Sequence, residues 1–255
     1  MLMAITRDVS PAFDRCELTH LPRVPIDVER ARAQHNAYEW ALVRAGCTVR
    51  RLESGPDMPD AVFVEDIAVA IDEGVIITRP GAPSRRVETP AVLDVLVRHG
   101  RPLQYIRSPG TLDGGDVLVA GRRVFVGLSA RTNRAGAEQL TGMLVSVGYD
   151  VRTVPVQGCL HLKSAVTTVS PDTLLINRAW VPAELFAGFT LIDVHPSEPR
   201  AANALQVGDA VIYSTTFPRT LDRLAKRTLS LHPIDVDELL KAEGAVTCCS
   251  LLFDI

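Results

Sequence analysis

The sequence predicts an α/β fold in which five units, about 51 residues each, stack into a closed ring over residues 1–255. Three observations point to it. Paired apolar runs joined by a turn recur along the chain, and helical patterns lie between them. The two ends also look like halves of one further unit, TCCSLLF at the C-terminus and MAITR at the N-terminus. Units that cannot bury their faces alone must stack, and pairing the terminal strands hides edges that an open array would expose. An ordinary α/β sheet carrying hairpins is the alternative that the pattern leaves open.

The paired runs are clearest in EDIAVAIDEGVIITR (65–79) and GDVLVAGRRVFVGLS (115–129). Placing Asp66 on Asp116 matches IAVA with VLVA and the later VII with VFV. Weaker copies follow at LKSAVTTVSPDTLLIN (162–177) and ANALQVGDAVIYS (202–214). The marker positions Asp66, Asp116, Lys163, Asn203 and Cys248 are separated by 50, 47, 40 and 45 residues. Residues 28–45 carry apolar positions at helical spacing, with Asp27 placed to cap the start and Gly46 just past the end. Shorter helices are expected at 90–99, 133–147, 219–228 and 235–242. Single β-rich runs (TVRRLE, PLQYIR, VRTVPV, TLIDV) read as the strand that opens each unit, ahead of its hairpin.

Composition removes several function classes. Hydrophobic residues at 47% and charged residues at 22% are globular values, so disorder is not expected. The net charge of −3 without a basic run argues against a nucleic-acid or anionic-membrane partner. No apolar stretch approaches the ~20 residues of a spanning helix. The start, MLMAITRDVSPAF, reads as no signal peptide, so a cytoplasmic protein is expected. Cys16, Cys47 and Cys159 are scattered and Cys248 and Cys249 adjacent, without a Cys-x-x-Cys. Neither a disulfide framework nor a zinc ribbon follows from that spacing.

If the units are related by rotation, equivalent positions face one axis. They carry Asp60, Glu65 and Asp66, then Asp113 and Asp116, then His161, Asn203 and Cys248. A thiol, an imidazole and several carboxylates suit nucleophilic attack on a cationic carbon. Each residue also has a plainer reading. A lone cysteine is commonly a small buried hydrophobe, a lone histidine a satisfied core residue, and a carboxylate beside a strand a turn cap. Three acids in DAVFVED are harder to dismiss, because burying them is costly unless a cation joins them. No His-x-His or Cys-x-x-Cys spacing backs a metal as that cation, so none is expected. Cys249 is expected on the opposite face of a strand from Cys248, in a structural role. Arg85 and Arg131, in PSRRVET and SARTN, read equally well as solvated or as functional.

Taken together, DAVFVED, ITRPGAPSRRVET, TLDGGDV, VGLSARTN, HLKSA and the terminal TCCS resemble the dimethylarginine dimethylaminohydrolases. The resemblance runs essentially end to end with motif order preserved. It implies a five-bladed α/β propeller of the guanidine-modifying (pentein) superfamily, in one catalytic domain over 1–255. It also implies hydrolysis of Nω-methylated arginines to citrulline and a methylamine, with a small-molecule substrate and neither metal nor organic cofactor.

The resemblance assigns roles residue by residue. Cys248 would be the nucleophile and His161 the general acid and base. Asp66 and Asp113 would hold the guanidinium nitrogens, with Glu65 at the same end; some family members carry glutamate in place of Asp113. Asp60 and the carbonyl oxygens of Leu18 and Ala242 would bind the α-amino group, and Arg85 and Arg131 the α-carboxylate. The loop before Asp27 is a candidate lid, a homodimer is possible, and zinc inhibition at Cys248 and His161 is chemically plausible. Two competing readings stand beside this one. One is a deiminase of free arginine, although those enzymes usually carry an added helical insertion absent here. The other is a non-catalytic propeller that binds a partner, which would have no reason to keep Cys248, His161 and Asp113 together.

Overall fold

The computed structural model describes residues 1–227 and 230–255. Among the described residues there are five three-stranded sheets. In the first, β1 (Leu2–Arg7) runs parallel to β2 (Thr48–Leu52) and antiparallel to the last strand, β15 (Leu251–Asp254). The terminal strands pair from Leu2 on Asp254 to Ile5 on Leu251, so the chain closes on itself as the sequence predicts. The other sheets each combine an antiparallel hairpin with a parallel third strand. They are β3 (Ala68–Ile71), β4 (Gly74–Ile77) and β5 (Leu103–Tyr105); β6 (Val117–Ala120), β7 (Arg123–Leu128) and β8 (Asp150–Pro155). The fourth holds β9 (Val166–Ser170), β10 (Thr173–Ile176) and β11 (Thr190–Asp193), and the fifth β12 (Ala204–Val207), β13 (Ala210–Ser214) and β14 (Ser230–Ile234).

The single β-rich runs belong to a different unit from the one expected. Each pairs in parallel with the hairpin before it, not the one after, as β5 does with β4 and β8 with β7. A parallel neighbour needs a crossover, and the intervening helix supplies it. In the fourth sheet that crossover holds only a short 3-10 turn, Ala183–Phe186. The strand β14 lacks a sequence signal because His232 and Pro233 break its apolar run; proline cannot donate to the ladder and sits at this edge position.

The longest helix, α1 (Val28–Arg44), starts where Asp27 accepts the Arg30 N–H at 3.0 Å and ends before Gly46, whose φ of +95° suits glycine. It buries Ala31, Tyr38, Ala41 and Leu42 and leaves Trp40 and Val43 exposed, the one-sided pattern of a surface helix. Among the described residues the remaining α-helices are α2 (Thr89–Arg98), α3 (Arg134–Val145), α4 (Leu162–Ala165), α5 (Pro218–Ala225) and α6 (Asp237–Leu240). Residue 228, the end of the helix expected at 219–228, lies outside the described residues. The 235–242 pattern forms only the single turn α6.

Strand alternation sends side chains to two clusters at once. From the hairpin of β3 and β4, Ala68, Val75 and Ile77 pack with Ile5, Leu251 and Leu96, while Val69 and Ile76 pack with Val117 and Val126 of the next sheet and with Leu140 of the helix at Arg134–Val145. Sheets buried on both faces explain why the strands read as unbroken apolar runs. Each fully buried valine, leucine or isoleucine among them contributes about 1.5–3 kcal/mol. Among the described residues, no helix is long and apolar enough to cross a membrane.

Candidate active site

Each sheet is entered through a tight turn, and these turns carry the marker residues. Glu65 and Asp66 lie in a 3-10 turn, Val64–Ile67, leading into β3; Asp116 ends another, Gly114–Asp116, leading into β6. His161 caps α4 ahead of β9, Asn203 precedes β12, and Cys248 lies in the turn before β15. The turns are joined in a closed cycle of hydrogen bonds. Asp66 Oδ1 accepts the Gly115 N–H at 2.9 Å and Asp116 Oδ1 the Leu162 N–H at 2.9 Å. The Lys163 carbonyl accepts from Asn203 Nδ2 at 3.0 Å, and Asn203 Oδ1 accepts the Thr247 N–H at 3.0 Å. The Cys248 carbonyl accepts the Glu65 N–H at 3.1 Å, returning to the first turn. All five markers thus serve as acceptors from the neighbouring turn.

Close packing explains the Gly-Gly of TLDGGDV. A Cβ on Gly114 would lie 2.0 Å from the Glu65 carbonyl, and one on Gly115 2.7 Å from His161 Nδ1. Two glycines let backbone approach backbone and bring the imidazole onto the turn.

On one side of the cycle is a narrow cavity of about 20 Å³ lined by Asp60, Asp66, Arg85, Asp113, Arg131, His161, Ala242 and Cys248, together with Glu17. His161 Nε2 lies 3.1 Å from Asp113 Oδ2 and its Nδ1 3.9 Å from Asp66 Oδ1. Burial pulls the imidazole down, but the Asp66 charge, the Asp113 hydrogen bond and the Asp116 charge outweigh it and raise it to about 9. His161 is therefore a protonated acid at neutral pH. Asp113 is held in turn by the Gly81 N–H at 2.8 Å.

Burial, with the charges of Glu65 and Asp66, pushes the Cys248 thiol up to about 12. Its sulfur accepts the Ala245 N–H at 3.4 Å. Cys249 does not sit on the back of a strand as expected, because β15 starts only at Leu251. It lies in the same turn, fully buried, with its thiol on the Ala245 carbonyl at 3.4 Å and its side chain in the core.

Arg85 is buried, 5% exposed, and its guanidinium is heavily engaged. It donates to Asp66 Oδ2 at 2.5 Å, to both Glu88 oxygens and to the Phe63 and Asp60 carbonyls. Burial works against the Asp66 carboxylate, but His161 and Arg85 reverse that and hold it below the usual range. Glu65 faces away from this cavity. Its oxygens are taken by Lys163 Nζ at 2.5 Å and Thr247 Oγ1 at 2.9 Å, and it lines a separate pocket among strands β3, β6, β9, β12 and β15. Burial raises its carboxyl even against the Lys163 charge.

At the opposite end, both Asp60 oxygens accept the Glu17 N–H, at 3.1 and 3.2 Å. Burial raises Asp60 to about 6 against the pull of Arg85. Arg131 Nη1 lies 3.4 Å from Glu17 Oε2. Leu18 packs on the core between Glu17 and Thr19. The loop they belong to is held down by Glu243, whose carboxylate accepts the N–H groups of Thr19, His20 and Leu21 at 2.5–3.1 Å. Glu243 is the one non-glycine residue with positive φ among the described residues, at +60°.

Asp66, Asp113 and His161 present oxygen and nitrogen atoms within 4.8 Å of one another, a set able in principle to hold a metal ion. The chemistry of the donors points elsewhere. Asp66 is shared between Arg85 and the Gly115 N–H, and Asp113 between the Gly81 N–H and His161. With a protonated imidazole as the third member, the set accepts N–H groups and does not present three free electron pairs.

A propeller that closes on a thiol and an anionic cleft belongs with the guanidine-modifying α/β propellers, and the comparisons with known proteins agree. The arginine deiminase family model matches residues 54–235. The N(G),N(G)-dimethylarginine dimethylaminohydrolase of Streptomyces coelicolor is 38% identical over 97% of this chain and 95% of its own length. That of Pseudomonas aeruginosa is 35% identical over 89% of this chain and 90% of its own. A solved structure of the Pseudomonas aeruginosa protein, a cysteine-to-serine mutant complexed with citrulline, superposes with a TM-score of 0.92 over 98% of both chains at 32% identity. The chain belongs to the dimethylarginine dimethylaminohydrolase family.

Proposed function

We propose that the chain hydrolyses Nω-methylated L-arginines, asymmetric dimethylarginine and monomethylarginine, to L-citrulline and dimethylamine or methylamine. It would act as one catalytic unit over 1–255, in the cytoplasm, needing neither metal nor organic cofactor. The observation that carries this reading is the buried His161–Asp113 pair, with Asp66 beside it, lining one cavity with Cys248.

In the reaction, Asp66 and Asp113 accept the guanidinium N–H groups and fix its carbon before the sulfur, which lowers the barrier through orientation. The incoming cation offsets the carboxylate charges that hold Cys248 protonated, and the thiol releases its proton to solvent to give the thiolate nucleophile. Sulfur bonds to the guanidinium carbon to give a tetrahedral adduct. His161 gives its proton to the methylated nitrogen, the C–N bond breaks, and the methylamine leaves. A thiouronium remains on Cys248. The now neutral His161 takes one proton from water as it attacks the same carbon. The C–S bond then breaks with its electron pair on sulfur, the sulfur takes up the remaining hydroxyl proton of the adduct, and citrulline and the Cys248 thiol are released. Arg131 would receive the α-carboxylate and Asp60, with the Leu18 and Ala242 carbonyls, the α-amino group. Arg85 would join Arg131 and also brace Asp66. Glu65 acts from below, by seating Lys163 and Thr247 under the nucleophile turn.

Acid-quenched turnover of asymmetric dimethylarginine followed by peptide mass spectrometry tests this assignment. The thiouronium is expected on the peptide bearing Cys248; an adduct elsewhere, or none in a turning-over enzyme, would reject it. Free arginine is the second reading, favoured by the match to the arginine deiminase model.

A further inference from the structure

The loop over the cavity presents a residue that imitates an amino acid. Glu17 lines the cavity beside Asp60 and Arg131. Its backbone N–H is shared by both Asp60 oxygens, and its carboxylate lies against Arg131 Nη1 at 3.4 Å while also accepting from the Ser84 hydroxyl. One residue therefore supplies a donor to the acid and an anion to the arginine. Those are the two things that the charged head of an α-amino acid would supply to the same pair. Two further contacts fix its place: Arg131 Nη2 reaches Thr19 Oγ1 at 3.3 Å, and Glu243 ties down the amides that follow.

We propose that Glu17 occupies the subsite for the substrate's amino-acid head, competing with the α-carboxylate for Arg131, and so sets the affinity for carboxylate-bearing ligands. This rests on the methylarginine reading above. A ligand with an α-carboxylate replaces the Glu17 anion on Arg131 like for like. A cationic ligand without one has nothing to offer Arg131 and leaves the pair intact. Glu17 thus lowers the affinity for amino acids by the strength of one partly exposed ion pair, and leaves that for their decarboxylated amines unchanged.

The experiment compares citrulline and agmatine, the decarboxylated counterpart of arginine, as ligands of the full chain by calorimetry. The Glu17 side chain is 41% exposed, so Glu17→Gln and Glu17→Ala variants are expected to fold. Both should bind citrulline roughly two- to fivefold more tightly than the wild type, the range of an exposed pair, while agmatine binding does not tighten. In an Arg131→Gln background the Glu17→Gln gain should vanish. Unchanged or weaker citrulline binding in both Glu17 variants would overturn the proposal, as would equal tightening of both ligands. A wild type that binds no citrulline would bring down the functional reading itself, and this proposal with it.

Discussion

The carbonyl oxygen of Cys248 accepts the backbone N–H of Glu65 at 3.1 Å, so the turn bearing the candidate nucleophile is seated directly on the turn bearing the acids. These residues are 183 positions apart in sequence. Their contact is the last of five that run from turn to turn around the axis, which ties the closure of the fold to the geometry of the cleft.

Asn203 makes two of those five contacts, and its Nδ2 also donates to Thr247 Oγ1 at 2.9 Å. Asn203→Ala should leave the Thr247 N–H unpaired and cost about 1–3 kcal/mol. It should also lower kcat, because the Cys248 turn loses its seat. Thermal denaturation and steady-state kinetics on one preparation check both effects.

Lys163 pairs with a buried Glu65 at 2.5 Å, and removing one partner of such a pair strands the other charge. Lys163→Met should cost about 3–5 kcal/mol, most of it regained in a Lys163→Met, Glu65→Gln double variant. Urea denaturation of the four proteins measures the coupling; additive losses would show that the pair is not the source.

The His161 imidazole, raised from 6.5 to about 9, makes stability depend on pH. The folded protein holds a proton that the unfolded chain has lost between those values. The contribution is complete below about 6.5 and disappears as the pH rises through about 9. Denaturation midpoints should fall across that window, and His161→Gln should flatten the fall while Cys248→Ala keeps it. The same variant should lose ~10²–10⁴ in kcat, as expected for a lost general acid and base.

The Cys248 thiol, raised to about 12, should be slow to alkylate at pH 8. A bound guanidinium that does not block the sulfur should raise its thiolate fraction. Thiolate absorbance, compared between wild type and Cys248→Ala with and without such a ligand, checks this; a fully ionised thiol in the free enzyme would contradict it.

The sequence made the propeller legible because its signals are local. Paired apolar runs, a turn between them and a polar marker ahead of them survive in each copy, even where similarity is faint. Asp66, Asp116, Lys163, Asn203 and Cys248 are marked by the alignment of the repeated apolar runs, and all five join the hydrogen-bonded cycle. The sheet partner of each single strand was not legible, since a run of five residues carries no label for which hairpin it joins. Nor was β14, whose proline and histidine interrupt the apolar pattern. The loop contacts were hidden for a different reason. Glu17 and Glu243 lie in irregular segments 226 residues apart, and Glu243 works through a left-handed backbone that no residue pattern announces. The engagement of Arg85 by Glu88 sits at i+3 on one turn, but PSRRVET does not say that the arginine points inward.

The measurement that bears most directly on the account is citrulline formation from asymmetric dimethylarginine and from arginine, side by side, with a chelator present. Preference for the methylated substrate, stoichiometric dimethylamine and rates that the chelator leaves unchanged are the expected result. Turnover of arginine alone would contradict the substrate assignment, and loss of activity in chelator would contradict a metal-free thiol mechanism.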